Sequence, residues 1–399
     1  MRLTRADRSR VSEWWFTVDR ALFAAVLILM VVGLVLSLSA SPAVAVKKGL
    51  GPFYFFNRQV FCSLVGVVLL FSLSLMQPSG IRRLAYGLLV LMIAALVYVQ
   101  FAGLEINGAR RWIGVAGVSF QPAELLKPAY VIVVAWFFAE AHRRPDMPAL
   151  PIAVLLGGTV ALLLVLQPDI GQGLLVALAW GALYVLGGQP LIGAFVLALL
   201  ACGGLFLAYL FLPHVSYRID AFLRPSPVEN SQLDRAMQSF IEGGFFGRGP
   251  GEGTIKTKFP DAHTDFIYAV IAEEYGVVAC LAVLGLFAFI SVRAFLISLE
   301  ETDVADRLAI QGLALIFAAQ ALINMGVNVG LLPAKGMTLP YVSAGGSSHI
   351  GISITLGMLL ALTRKRLRSA RWQDAAPYQA EDGHHMSPGA HVLRRGRVG

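Results

Sequence analysis

Long apolar segments recur along almost the whole chain, and they constrain its fold more than any other feature. A helix that crosses a membrane needs about 20 predominantly apolar residues. Hydrophobic residues make up 57% of the 399 residues and charged residues only 14%, against about 25% charged residues in an average soluble chain. We predict spanning helices at roughly 22–46, 58–76, 84–103, 122–139, 150–167, 170–188, 191–212, 266–297, 307–327 and 341–362. The sequence therefore predicts an all-α, polytopic integral membrane protein with about ten transmembrane helices.

Basic residues predict the orientation of these helices. With ten spans, both termini lie on one side of the membrane, and that side carries nineteen of the 32 Lys and Arg residues. The other side has twelve, half of them in one long loop where charge has little influence. Because cytoplasmic flanks carry an excess of Lys and Arg, we expect both termini in the cytoplasm. The loops at 103–121, 213–265 and 328–340 then face outward from the cytoplasmic (inner) membrane.

Three regions follow from this topology. Residues 1–21 form a basic cytoplasmic N-terminus, 22–362 form the membrane domain, and 363–399 form a basic cytoplasmic tail that we expect to be disordered. The large outer loop, 213–265, connects the seventh and eighth spans. The net charge of +8 fits cytoplasmic flanks near anionic lipid, and it forms no nucleic-acid-binding patch. All three cysteines fall in apolar segments, which predicts core residues rather than a disulfide or metal framework.

The segment DAHTDFIYAVIAEEYG places acidic residues at the start of the eighth span and inside it. Asp265 opens the apolar segment, and Glu273 and Glu274 follow about 12–14 Å deeper at ~1.5 Å per residue. Ionised groups at that depth cost several kcal/mol unless they face a polar cavity or a partner. Asp265 is the candidate catalytic base. His263 is a second candidate for that role, with an ordinary interfacial histidine as the alternative.

A second cluster lies in EINGARRWIGVAGVSFQPAELLK. Arg110 and Arg111 stand beside a tryptophan, which is typical of an interfacial belt. They could equally clamp a lipid-linked phosphate, because the planar guanidinium matches phosphate geometry. Gln121, Glu124 and Lys127 recur at intervals of three on roughly one helix face. Lys127 either extends its amine outward to water or requires an anion.

Further polar residues fall on the same predicted side. Asp169 follows a Gln-Pro pair, where it either only caps a new helix at its positive end or is a substrate-binding acid. The break between the sixth and seventh spans at this point could also be re-entrant. Asn324 and Asn328 are four residues apart and could donate hydrogen bonds across helices. The remaining candidate substrate-binding residues are Thr264, Glu273, Lys335, Ser347 and Ser348. Acid, base and Arg groups on one face predict an extracytoplasmic site.

One specific contact is also predicted within this site. Lys127 and Asp265 both enter from the outer side, and an unpaired charge there is costly. We therefore expect a cross-helix ion pair between them. The glycine-rich GGFFGRGPGEG of the outer loop follows no strand and matches no Walker spacing, so it gives little support to a nucleotide site.

Five ordered motifs resemble those of a known family. NGARRW, SFQPAELLK, QPDIGQ, AHTDFIYAVIAEEYG and LPAKGMTLPYVSAGGSS are similar to the successive motifs of the SEDS family (shape, elongation, division and sporulation). The resemblance covers about residues 20–365. Within it, KGMTLP is more similar to members that act in division than to those that act in elongation. Ala344 departs from the family, because many members have Tyr before the Gly-Gly pair.

The resemblance implies a peptidoglycan glycosyltransferase with ten helices. Such proteins transfer lipid II, a disaccharide-peptide unit on a polyprenyl diphosphate, onto a growing glycan strand outside the membrane. The family's essential acid matches Asp265, and its basic partners match Arg110, Arg111 and Lys127. A base would take the acceptor hydroxyl proton, and cations would hold the diphosphate.

The resemblance also implies partners and a location. Division-type members act at the septum with a class B penicillin-binding protein and other divisome proteins. We expect that partner's transmembrane helix on the eighth and ninth spans, near Gly285, Asn324 and Gly326. No cofactor is fixed, although Mg²⁺ or Mn²⁺ could help to hold the diphosphate, with unknown ligands. The alternatives are a flippase for the same precursor and a non-catalytic divisome scaffold.

Overall fold

Helices dominate the part of the chain that the structure describes. The computed structural model describes residues 9–106, 109–115, 118–211, 216, 220, 232–258, 262–333 and 336–365. Its α-helices are α1 (Arg10–Thr17), α2 (Arg20–Lys47), α3 (Tyr54–Ser74), α4 (Pro78–Ala102), α5 (Pro122–Arg143), α6 (Ala149–Leu166), α7 (Ile170–Leu186), α8 (Leu191–Phe211), α9 (Gln232–Gly243), α10 (Ile267–Leu299), α11 (Val304–Asn328) and α12 (Gly346–Leu362). A 3-10 turn covers Ile255–Lys258.

Each of the ten predicted spans corresponds to one of these helices. Eight are long and apolar enough to cross a membrane: α2, α3, α4, α5, α6, α8, α10 and α11. The other two, α7 and α12, are apolar helices of 17 residues each. The prediction of a polytopic α-helical membrane protein is confirmed.

Two boundaries of the predicted spans are informative. The break after Leu166 separates α6 from α7, as predicted, because Pro168 has no N–H to continue a helix. The tenth helix begins at Gly346 rather than at 341. The residues before it form a tight turn instead, in which Ser343 N donates to Leu339 O over 3.0 Å.

Helices α5, α11 and α12 form the centre of the bundle and bury most of their side chains. Tyr130, Phe138 and Phe317 are among the largest fully buried residues. Gly351 of α12 lies so close to α5 that a Cβ would be 2.7 Å from the carbonyl oxygen of Glu124. This close approach brings together the ends of α5, α11 and α12, where the candidate site lies. We call this end of the bundle, where α5, α7, α10 and α12 begin, the site end.

A small antiparallel sheet replaces part of the predicted loop 103–121. Its strands are β1 (Leu104–Ile106), β2 (Ala109–Val115) and β3 (Val118–Phe120), in the order β1-β2-β3. Arg110 pairs with Glu105 across β1 and β2, and Ile113 pairs with Phe120 across β2 and β3. Consecutive side chains of β2 point to opposite faces of the sheet. Arg110 and Arg111 are therefore directed to different surroundings.

Helix α10 is interrupted at Gly276, whose backbone is left-handed (φ 79°, ψ 177°). The segment after α9 fills this break. Val277 N donates to Gly244 O over 3.0 Å, and Val278 N donates to Phe245 O over 3.2 Å. Gly247 has a φ of +77°, and a Cβ there would overlap the carbonyl oxygen of Glu274. The glycine-rich segment thus packs closely against α10 and supplies hydrogen-bond acceptors at its break.

Candidate functional site

Asp265 occupies the turn at residues 262–266 that leads into α10 at the site end. Its side chain is half-buried. Its backbone carbonyl accepts hydrogen bonds from the side-chain amides of Asn324 and Asn328, each over 2.9 Å. A Cβ added to Gly336 would lie 3.6 Å from Asp265 Oδ2, so the loop before α12 runs beside the carboxylate. The carboxylate is therefore held on a fixed backbone between α10, α11 and that loop.

The two residues before Asp265 are fixed in the same way. His263 O accepts from Ala344 N over 2.8 Å, and Thr264 O accepts from Ser343 Oγ over 2.5 Å. Three consecutive carbonyls of this turn are thus bound by groups from α11 and from the segment before α12. Such anchoring is what a positioned catalytic side chain requires.

A cavity of about 220 Å³ opens beside this turn. It is lined by Phe55, Arg58, Gln59, Cys62, Trp112, Ser119, His263, Thr264, Ala344, Gly345, Gly346 and His349. Two predicted residues, His263 and Thr264, therefore face one cavity, directly before Asp265 in the chain.

His263 is buried, with its ring centroid 4.4 Å from that of Phe55. Burial, and to a smaller extent the nearby positive charge of Lys48, lower the pKa of His263 to about 4. A neutral imidazole with so low a pKa is a weak base at neutral pH. His263 is therefore uncharged at neutral pH and forms part of the cavity wall.

Two cavity residues were missed by sequence reasoning. Arg58 lies in the first turns of α3, where it has no ion-pair partner among the described residues, and a Cβ added to Gly346 would lie 3.7 Å from its guanidinium. His349 in the first turn of α12 is 1% exposed, and its Nε2 has no hydrogen-bond partner in the described part of the chain. A lone charge and a lone histidine inside predicted spans were the available signals.

Lys127 is placed differently from the prediction. Its Nζ lies 2.7 Å from Glu124 Oε2 in the same helix, and both side chains are buried. The same Nζ donates to Gln320 Oε1 over 2.7 Å. The predicted Lys127–Asp265 ion pair is therefore wrong: a carboxylate one turn away satisfies the amine. Glu124 Oε1 in turn accepts from Gln172 Nε2 over 2.6 Å.

Arg111 and Asp169 meet where α7 begins. Arg111 donates to the carbonyls of Gln167 and Pro168, and its guanidinium lies 3.8 Å from Asp169 Oδ1. Asp169 Oδ2 accepts from Gln121 Nε2 over 2.8 Å. Because the Asp169 carboxylate also contacts Arg111 and Gln121, helix capping alone does not explain its position.

The other predicted residues fall into two groups. Ser347 Oγ accepts from the backbone N–H of Gln121 over 3.0 Å, and Ser348 Oγ lies 2.6 Å from Thr338 Oγ1, so both belong to the site end. Arg110 does not join them: it is half-exposed and lies 3.4 Å from Glu105 on the sheet. Lys335 lies outside the described residues.

Glu273 has a structural environment. Its carboxylate accepts backbone hydrogen bonds from Thr254, Ile255 and Lys256, at 2.6, 2.7 and 3.0 Å. The neighbouring Glu274 is paired with the Lys256 amine. Both acids thus attach residues 254–256 to α10. In the part of the chain that the structure describes, no group of three or more His, Cys, Asp or Glu side chains has metal-binding spacing.

Comparison with known proteins identifies the family of this chain. A family model described as "Cell cycle protein", which covers FtsW, RodA and SpoVE, matches residues 19–368. The chain belongs to this family. The SEDS resemblance of the motifs is confirmed.

Individual family members agree along most of the chain. A protein of Caulobacter vibrioides named "Probable peptidoglycan glycosyltransferase FtsW" is 41% identical over 363 residues, which cover 91% of this chain and 93% of the relative. A protein of Halorhodospira halophila with the same name is 37% identical, covering 93% and 98%. These names agree with the division-type motif KGMTLP.

Solved structures of the family share the fold. One chain of a peptidoglycan synthase complex that coordinates polymerization and crosslinking matches with a TM-score of 0.72 and 31% identity, covering 88% of this chain and 98% of that one. The rod shape determining protein RodA of Thermus thermophilus matches with a TM-score of 0.63 and 29% identity, covering 88% and 97%.

Proposed function

We propose that this chain is a peptidoglycan glycosyltransferase of the division septum, which adds lipid II units to growing glycan strands. The observation that carries the proposal is the anchored turn of Asp265 beside the cavity that contains Arg58. Family membership and the names of the relatives support the same chemistry.

The proposed reaction is a displacement at the anomeric carbon of the donor sugar. The acceptor hydroxyl oxygen bonds to the anomeric carbon of the donor, while the bond from that carbon to the diphosphate oxygen breaks and its electrons leave with the diphosphate. The hydroxyl proton passes to Asp265. Because a diphosphate is already a good leaving group, it needs stabilisation of charge and no proton. A single displacement of this kind inverts the anomeric centre.

The leaving diphosphate requires cations or N–H donors. Arg58 lines the cavity beside the start of α12, at its N-cap Gly345 and its first residue Gly346. A helix N-terminus presents free N–H groups and favours anions, and a guanidinium can hold phosphate oxygens with two hydrogen bonds. We assign diphosphate binding to Arg58 rather than to Lys127, which is already paired. A diphosphate-bound Mg²⁺ or Mn²⁺ is a further part of this proposal, and polymerisation with and without EDTA tests it.

The substitution Asp265→Asn tests the enzymatic proposal. Purified chain, lipid II and the partner transpeptidase are incubated in detergent, and glycan chains are measured. Loss of the base should lower the rate by about 10²–10⁴-fold while the protein remains folded. A flippase or a scaffold would make no glycan even as the wild type. Normal synthesis by the variant would exclude Asp265 as the base.

The partner belongs to the same proposal. A class B penicillin-binding protein is the partner that fits, since a related chain works in a complex that joins polymerization to crosslinking. Helix α10 exposes apolar side chains along its length, including Leu281, Phe289 and Val292, whereas α11 is mostly buried. Membrane crosslinks from this face of α10 to the partner's single helix test the surface, and crosslinks confined to α2–α4 would contradict it.

Two of the predicted contact residues do not suit this surface. Asn324 is buried and bonded to the Asp265 turn, and a Cβ at Gly326 would meet Leu332 of the same chain at 3.1 Å. Gly285 has open space around it and remains a candidate for close helix packing. Septal location and cytoplasmic termini are also proposed, and fluorescent fusions and terminal accessibility labelling test them.

A further inference from the structure

We infer that three buried amides on one face of α11, Gln320, Asn324 and Asn328, position Asp265 and its surroundings for glycosyl transfer. This inference rests on the proposed function. The three residues recur at intervals of four along the helix, so their side chains lie on one face. Each is at most 2% exposed. We call them the amide ladder.

Asn324 and Asn328, the two amides nearest the end of α11, hold the Asp265 turn. Asn324 Nδ2 and Asn328 Nδ2 both donate to the carbonyl oxygen of Asp265, each over 2.9 Å. A carbonyl oxygen has two lone pairs, and here both are used. Asn328 Oδ1 also accepts from Ala269 N over 3.1 Å, which ties the first turn of α10 to the same amide. The backbone on both sides of the Asp265 carboxylate is therefore fixed relative to α11.

Asn324 and Gln320 hold the loop at 336–338, which lies beside the Asp265 carboxylate. Asn324 Nδ2 donates to Met337 O over 2.6 Å, and Gln320 Nε2 donates to Thr338 O over 3.1 Å. This is the loop in which Gly336 lies beside Asp265 Oδ2. Asn324 thus bridges the turn and the loop with a single NH₂ group. Together with Asn328 and Gln320, this side chain fixes the Asp265 turn relative to the loop at 336–338.

Gln320 extends the ladder to the buried ion pair of α5. Its Oε1 accepts from Lys127 Nζ over 2.7 Å while its Nε2 binds the loop. The amide orientation is settled by these two contacts, because Lys127 can only donate and the Thr338 carbonyl can only accept. One helix face consequently sets the relative positions of the Asp265 turn, the loop at 336–338 and Lys127.

A positioning role and a purely structural role predict different kinetics. Removing an amide leaves buried carbonyls without a donor, so stability should fall in either case. Only a positioning role lowers the turnover of bound substrate, since a displacement of about 1 Å can reduce a rate by ~10²-fold. None of the three amides lines the cavity described above. Substrate affinity should therefore remain close to that of the wild type.

The test compares Asn324→Ala and Asn324→Ser with a control on the same helix. Gln311→Ala removes an equally buried amide of α11, 5% exposed and about 14 Å before Gln320 at ~1.5 Å per residue. Each variant is purified with the partner transpeptidase and assayed with lipid II. We expect Asn324→Ala to lower kcat by about 10- to 100-fold with KM within about twofold. Asn324→Ser keeps one donor and should fall between Ala and wild type, and Gln311→Ala should keep the wild-type kcat.

Other outcomes overturn the inference. An unchanged kcat together with a lower unfolding temperature would assign the ladder to stability alone, and a raised KM at constant kcat would indicate substrate contact instead. If Asn324→Ala does not fold, the Ser variant decides by the same criteria. A wild-type protein that makes no glycan would overturn the proposed function as well, whereas an active wild type with fully active variants would overturn the ladder alone.

Discussion

Lys127 and Glu124 form a buried ion pair within one helix, with Nζ 2.7 Å from Oε2. Both side chains are almost fully enclosed, at 3% and 4% exposure. Glu124 lies a single turn before Lys127, so the pair forms as soon as α5 does. The amine that the sequence pattern paired with Asp265 is instead part of the core of the site end.

This pair predicts a strong non-additivity of stability. Lys127→Met leaves a buried carboxylate without its cation, and removing one partner of a buried pair costs about 3–5 kcal/mol. The double variant Glu124→Gln, Lys127→Met should recover most of that loss, since Gln can still accept from Gln172. Thermal unfolding in detergent measures both. A double variant that is less stable than either single variant would contradict the pairing.

Substitution of Glu273 should loosen the segment at residues 254–256. Its carboxylate accepts three backbone hydrogen bonds from residues 254–256, and Glu273→Ala leaves these N–H groups without an acceptor. We expect a loss of about 1–3 kcal/mol and faster hydrogen exchange at 254–256. The exposed Glu252 in the same segment provides the control. Equal exchange in Glu273→Ala and Glu252→Ala would show that the carboxylate does not hold the segment.

Gly247 predicts a contrast between two glycine substitutions. Its φ of +77° and its contact with the Glu274 carbonyl leave no room for a Cβ, whereas Gly285 in α10 has open space. Gly247→Ala should therefore destabilise the protein by more than about 1 kcal/mol, while Gly285→Ala should be neutral or slightly stabilising. Unfolding midpoints compare the two directly. If the glycine-rich segment packs closely against α10, Gly247→Ala must be less stable than Gly285→Ala.

His263 predicts a pH dependence of stability. Burial, followed by the charge of Lys48, lowers its pKa to about 4 in the folded state, against about 6.5 in an unfolded chain. Between these values the unfolded chain binds a proton that the folded protein does not, so stability falls as the pH drops from about 6.5 to 4. His263→Phe should remove this part of the acid sensitivity. Lys48→Met should raise the pKa of His263 in the folded state and so narrow the pH range over which stability falls. An unchanged dependence of stability on pH in both variants would contradict the role of His263.

The helices of this protein and their polar faces could be predicted from sequence because both depend on residues close together in the chain. Apolar segments of about 20 residues predicted the helices, because in a membrane a segment's own composition determines whether it spans. The interval of four between Asn324 and Asn328 correctly predicted a shared polar face. Their acceptor could not be predicted, because the Asp265 carbonyl lies 59 and 63 residues away in the chain and a backbone oxygen has no sequence signature.

The sequence was least informative where strands and cavity walls form from distant parts. The strands β1, β2 and β3 pair with one another, but in the sequence this segment between two spans resembled an interfacial loop. Arg58 and His349 belong to different helices, and only the packing of α12 on α3 places both against one cavity. A single charged or imidazole group in an apolar helix carries no signal of which neighbour it will meet.

The interruption of α10 at Gly276 has a consequence for exchanging parts between relatives. In hydrocarbon, a backbone N–H without an acceptor costs several kcal/mol, and the amides of Val277 and Val278 find their acceptors in Gly244 and Phe245. The segment after α9 and the interrupted part of α10 therefore depend on each other for their hydrogen bonds. A chimera that receives residues 232–258 from another family member should fold only if it receives the matching 267–278 as well.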